Sequence, residues 1–83
     1  MILKFEPGLA FFMAQHVLDS GIATHPIRDI RRAIRSAGFA DMTEGAFYDT
    51  LKEMYDAGWI RQIDYREFYI VFDLNALRAG TAD

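Results

Sequence analysis

Three glycines divide the first part of this chain into stretches that each suit a helix. Gly21, Gly38 and Gly58 each follow a helix-compatible segment, where a glycine favours the left-handed conformation that ends many helices. The spacing predicts helices at residues 7–20, 26–37 and 43–57. Pro7 and Pro26 suit a first helical turn, and either Asp41 or Thr43 suits the N-cap of the third helix.

After Gly58 the pattern changes from helical to extended. Residues 59–64 and 68–72 are aromatic and β-branched, and they flank the polar residues 65–67, which predicts a β-hairpin with a short turn. Residues 22–24 are predicted to form a short edge strand. Residues 1–75 are then a single domain, and residues 76–83 are predicted to be a frayed C-terminal tail.

This order of elements resembles a winged helix-turn-helix domain, an α+β fold with three helices and a small antiparallel β-hairpin wing (order α-β-α-α-β-β). Residues 46–60 resemble the recognition helix and first wing strand of PadR-like and MarR-like regulators, through Phe47, Leu51 and the Gly58-Trp59-Ile60 step. Tyr69-Ile70-Val71 resembles the returning wing strand. The resemblance covers residues 22–73, and it implies a nucleic-acid-binding transcriptional regulator.

Composition limits the class of protein. With 83 residues, 52% of them hydrophobic, the chain suits one small domain. Cysteine is absent, which favours a cytoplasmic location and excludes a cysteine-based zinc site. No apolar run approaches the ~20 residues that span a bilayer, and the first residues lack signal-peptide features. We therefore expect no membrane partner, no metal and no cofactor.

The second helix predicts an anion-binding face. Its isoleucines recur at helical spacing, and its arginines occupy the opposite side at i, i+3, i+4 and i+7, namely Arg28, Arg31, Arg32 and Arg35. Each guanidinium is a planar fork suited to phosphate or carboxylate. An ordinary solvated face explains the same pattern, and the sequence leaves both explanations open.

The third helix and the wing give a mixed prediction. Phe47, Leu51, Met54 and Tyr55 are predicted to face the core. On the outer face, Tyr48 and Lys52 are candidate nucleic-acid contacts, as are Arg61 and Arg66 in the wing. The same outer face carries carboxylates that phosphates would repel, and these form a candidate acidic surface for a protein partner: Glu44, Asp49, Glu53 and Asp56.

The first helix is apolar around most of its circumference, which predicts burial on more than one side. Phe11, Ala14 and Leu18 are therefore a candidate interface for a homodimer or another partner. Alternatively, the first residues of the chain or its tail fold over this side.

Two functions remain open, and neither is enzymatic. The chain lacks a Ser-His-Asp order and a glycine-rich phosphate loop; His16 lies on the apolar helix, and His25 is predicted to lie in a loop. One hypothesis is a regulator that binds duplex DNA through its arginines. The other is an acidic interaction module, such as a phage or mobile-element inhibitor of a nucleic-acid-processing complex, which the net charge of −3 favours.

Overall fold

The computed structural model describes residues 7–81, which form four helices and one antiparallel sheet. The helices are α1 (Pro7–Ser20), α2 (Ile27–Ser36), α3 (Glu44–Asp56) and α4 (Leu74–Thr81). The strands are β1 (Thr24–Pro26), β2 (Ile60–Asp64) and β3 (Tyr69–Phe72). The α+β prediction is confirmed, whereas the prediction of three helices is wrong, because α4 was not expected.

The helix ends follow the local signals of the sequence. Gly21, Gly38 and Gly58 all have positive φ, at 68°, 118° and 84°, as their predicted role in ending helices requires. The N-cap of α3 is Thr43, whose Oγ1 accepts a hydrogen bond from the Ala46 amide at 3.0 Å. The first three helices therefore begin and end within one residue of their predicted bounds.

The sheet has the order β1-β3-β2. β1 lies two residues later than predicted, because it is Thr24, not Ile22, that begins the pairing with β3, opposite Val71. This shift corrects the placement of His25 in a loop: His25 is buried within β1, and its Nε2 lies 2.7 Å from the Ile22 carbonyl oxygen. Pro26 is tolerated in β1 because β1 is an edge strand.

The core lies between the helices and one face of the sheet. Its largest buried side chains come from every helix and from β3, including Phe47, Phe72, Leu9, Met13, Ile30, Leu51 and Leu77, and β2 adds Ile60. In α3 the prediction for Tyr55 is wrong, because 48% of this residue is exposed. Thr50 is buried instead, and its hydroxyl donates to the Ala46 carbonyl at 2.7 Å, which satisfies the polar group inside the core.

α4 explains the apolar character of α1. The prediction of a frayed tail is wrong for residues 76–81, because they belong to this helix, which packs against α1 and buries Leu77 in the common core; residues 82–83 lie outside the described residues. Ala14 is fully buried within the chain, so it cannot lie at a dimer interface. Leu18 is half-buried, and Phe11 is exposed but packs edge-on against Trp59, with ring centroids 5.7 Å apart.

None of the helices among residues 7–81 combines the length and the apolar character that crossing a membrane requires.

Candidate functional site

The four arginines of α2 line one groove on the protein surface, which we call the arginine groove. Because Ile27, Ile30 and Ile34 are buried, the helix turns its arginines away from the core. The groove has a volume of about 540 Å³ and is lined by Arg28, Arg31, Arg32, Arg35, Ser36 and Glu44. The predicted arginine stripe is therefore one continuous surface.

Two of these arginines are engaged, and two are available. Arg31 Nη1 lies 3.3 Å from Glu44 Oε1 at the start of α3, and Arg35 Nη2 donates to the Met42 carbonyl at 3.3 Å. Within the described part of the chain, Arg28 and Arg32 make no side-chain hydrogen bond, and both are exposed. Exposed guanidiniums without a partner are well placed to take an anion.

A second groove joins the start of α2 to the hairpin turn, and we call it the middle groove. It has a volume of about 570 Å³ and is lined by Pro26, Ile27, Arg28, Arg31, Glu44, Tyr48, Glu67 and Phe68. The hairpin turn is tied down on both sides. Asp64 Oδ1 accepts from the Arg66 and Glu67 amides at 2.9 and 2.8 Å, and the Phe68 carbonyl accepts from the Ile27 amide at 2.8 Å.

A third groove lies between α3 and β2, and we call it the tyrosine groove. It has a volume of about 490 Å³ and is lined by Tyr48, Asp49, Lys52, Tyr55, Arg61, Gln62, Ile63 and Tyr65. Tyr48 and Tyr55 are seven residues apart, which places them on the same side of α3 two turns apart. Tyr65 reaches the groove from the hairpin, with its ring centroid 6.2 Å from that of Tyr48.

A β-bulge in β2 places two neighbouring polar side chains in the tyrosine groove. Ile60 pairs with Phe72 and Gln62 pairs with Val71, so Arg61 is an extra residue in the ladder. Successive side chains of a regular strand point to opposite faces, whereas a bulge changes their direction. Arg61 and Gln62 are accordingly both exposed, and both line the tyrosine groove.

The three grooves form one surface whose charge differs from that of the chain. The middle groove shares Arg28, Arg31 and Glu44 with the arginine groove, and it shares Tyr48 with the tyrosine groove. Together the grooves contain six of the nine basic residues of the chain but only three of its twelve acidic residues. The net charge of −3 therefore arises outside this surface.

No protein-family model, curated protein or solved structure matches this chain.

Most of the predicted nucleic-acid contacts lie on the shared surface. Seven of them line its grooves: Arg28, Arg31, Arg32, Arg35, Tyr48, Lys52 and Arg61. Arg66 is exposed at the hairpin turn and lines none of these three grooves.

The predicted acidic surface on α3 is divided. Glu44 belongs to the arginine and middle grooves, where it pairs with Arg31, and Asp49 belongs to the tyrosine groove. Glu53 is half-buried and Asp56 is exposed, and neither lines any of the three grooves. Asp49, Glu53 and Asp56 fall at i, i+4 and i+7 and therefore share one side of α3, whereas Glu44 lies apart from them beside Arg31.

Among the groove residues that sequence reasoning missed are the exposed side chains of Tyr55, Gln62, Tyr65 and Phe68. The seven-residue spacing of Tyr48 and Tyr55, with Lys52 between them, could have placed Tyr55 on the outer face of α3. Gln62 could not be found in this way, because it reaches the groove through the bulge in β2, and strand alternation from the sequence alone does not predict a bulge.

Proposed function

We propose that this chain is a cytoplasmic winged helix-turn-helix protein that binds duplex nucleic acid over its arginine and middle grooves and acts as a regulator. The order of the elements up to β3 and the sheet order β1-β3-β2 support this fold. One observation carries the function: six basic and three acidic side chains share one surface of an otherwise acidic chain. A polyanion is the ligand that such a segregated surface attracts.

The available guanidiniums favour contacts to the phosphate backbone over contacts to bases. Arg28 and Arg32 have no side-chain partner to give up within the described residues, so binding a phosphate costs them no internal hydrogen bond. α3 presents Lys52 beside Asp49, and the carboxylate opposes deep insertion of this helix into the major groove of DNA, because phosphates repel it. We therefore infer strong dependence on salt and modest sequence preference.

The protein-interaction hypothesis ranks second because one of its four carboxylates, Glu44, lies among the arginines of α2 and pairs with Arg31. A homodimer through α1 is not needed for the proposed function. Of the three residues predicted for that interface, Ala14 is buried by the chain itself and only Phe11 is exposed.

The test is a titration of a labelled, blunt-ended duplex of mixed sequence with the protein. Fluorescence anisotropy reports binding, and the titration is repeated at several salt concentrations. The variants are Arg28→Gln, Arg32→Gln and the double variant. We expect the double variant to weaken binding about tenfold or more at low salt and to lower the slope of log affinity against log salt by roughly two.

The matched control is Arg78→Gln on α4. It removes the same charge from an exposed residue outside the three grooves, where the guanidinium bonds only Asn75 among the described residues. This variant should bind like the unmodified protein. The proposed function is contradicted if Arg78→Gln loses as much duplex affinity as Arg28→Gln and Arg32→Gln. It is also contradicted if the unmodified protein does not bind the duplex at low salt.

A further inference from the structure

The tyrosine groove differs in chemistry from the two grooves beside it. Tyr48, Tyr55 and Tyr65 contribute three aromatic rings to its lining. Tyr55 is 48% exposed and Tyr65 is 57% exposed, so both present ring surface to solvent. A phosphate group does not bind to aromatic ring surface, because it is bound by hydrogen-bond donors and positive charge.

The rings suit a flat, aromatic part of a ligand, and the polar side chains of the same groove suit a charged, hydrogen-bonding part. Lys52 and Arg61 supply positive charge, while Asp49 and Gln62 supply hydrogen-bonding groups next to the rings. A volume of about 490 Å³ lies within the range of roughly 300–1,000 Å³ that small-molecule sites occupy. The ligand that combines a flat ring, hydrogen-bonding edges and an adjoining negative charge is a nucleotide.

A paired duplex cannot supply this ligand, because its base faces are covered by their neighbours in the stack. An unpaired base exposes both faces, and tyrosine rings bind such faces with little regard to sequence. The position of the groove also suits a junction, since the middle groove shares Tyr48 with it and shares Arg28 and Arg31 with the arginine groove.

We propose that the tyrosine groove binds an unpaired nucleotide, so that the protein recognises nucleic acid in which a single-stranded segment adjoins a duplex. Tyr55 and Tyr65 stack on the base, and Lys52 and Arg61 bind its phosphates. This inference rests on the proposed function, because the arginine groove holds the adjoining duplex.

The test compares two DNA probes by fluorescence anisotropy at low salt: a blunt-ended duplex, and the same duplex with a single-stranded oligothymidine tail. The variants Tyr55→Leu and Tyr65→Leu remove the ring but keep an apolar side chain. About half of each residue is exposed, and neither belongs to the core, so both variants should fold. The control is Phe11→Leu, which changes a 43% exposed aromatic residue on α1, outside the grooves.

We expect the tail to tighten binding about tenfold, and each tyrosine variant to lose most of that gain while binding the blunt duplex as before. Phe11→Leu should keep the gain. Equal affinity for both probes, or a gain that survives both tyrosine substitutions, overturns this inference but leaves the proposed function standing. If the protein binds neither the blunt duplex nor the tailed duplex, the proposed function is overturned as well.

Discussion

Gly80 of α4 lies directly against the indole ring of Trp59. A Cβ built at Gly80 would lie 2.6 Å from Trp59 Cε2 and 2.8 Å from Nε1, closer than real side chains approach each other. Trp59 is buried at the end of the turn that follows α3, so the ring has little room to move. The absence of a side chain at position 80 therefore allows α4 to close over this part of the core.

Substitution of Gly80→Ala should destabilise the protein by about 1–3 kcal/mol, which is the usual cost of overpacking a core. Urea unfolding, monitored by the fluorescence of the single tryptophan, measures this change in the free energy of unfolding. The matched control is Gly8→Ala in α1, where an added Cβ meets nothing within 4 Å. Equal unfolding midpoints for the two variants would show that the contact with Trp59 is not restrictive.

Phe68 has a φ of 57°, a left-handed conformation that bulky residues rarely adopt. Its side chain is 60% exposed, so its burial offsets little of the strain. Phe68→Asn should raise the free energy of unfolding by about 0.5–1 kcal/mol, because asparagine tolerates this conformation better. Phe68→Val should lower it, since a β-branched residue is disfavoured there. Urea unfolding of both variants checks the prediction, which fails if both shift stability in the same direction.

Thr43 caps α3 through its hydroxyl, which accepts from the Ala46 amide at 3.0 Å. Thr43→Ala removes the acceptor and should cost about 1 kcal/mol of the free energy of unfolding. Thr43→Ser keeps the hydroxyl and should retain most of the stability. Urea unfolding of the two variants distinguishes loss of the cap from loss of the methyl group, and a serine variant as unstable as the alanine variant would argue against the cap.

Glu44 pairs with an arginine of α2, since its Oε1 lies 3.3 Å from Arg31 Nη1, and its side chain is 72% exposed. Glu44→Gln should lower stability by no more than about 1 kcal/mol, because exposed ion pairs contribute little. The same change should tighten duplex binding about threefold, since it removes a negative charge and frees Arg31.

The control for Glu44→Gln is Asp19→Asn, which removes one negative charge from the exposed end of α1, outside the grooves. Its duplex affinity should stay unchanged when both variants are measured by anisotropy at the same salt. If the two variants tighten binding equally, net charge controls affinity and the local surface does not.

Local signals were sufficient to predict most of the elements. Glycines with positive φ end the first three helices, and the isoleucine spacing of α2 correctly turned its arginines outward. α4 was missed because residues 75–83 include many small and polar residues. Asp73 is the signal that could have found it: its Oδ1 accepts from the Ala76 amide at 3.0 Å, and Leu74 and Leu77 follow at helical spacing.

Features set by distant pairing could not be predicted. The position of β1 depends on which of its residues meet β3, and His25 becomes buried only through that pairing. Thr50 differs from these features, because its spacing from Phe47 and Met54 already places it on the buried side of α3, where the Ala46 carbonyl satisfies its hydroxyl. The tyrosine groove depends on the distance between α3 and the hairpin, and only the folded chain defines that distance.

The hydrogen bond from the Ile27 amide to the Phe68 carbonyl, at 2.8 Å, joins the first turn of α2 to the hairpin turn. Since α2 also begins directly after β1, which pairs with β3, helix and hairpin cannot hinge apart without breaking several backbone bonds at once. The proposed binding surface is thus preorganised where α2 meets the hairpin, and a ligand would dock there as on a rigid body. Little conformational entropy is then lost on association, and the free and bound backbones should superimpose closely.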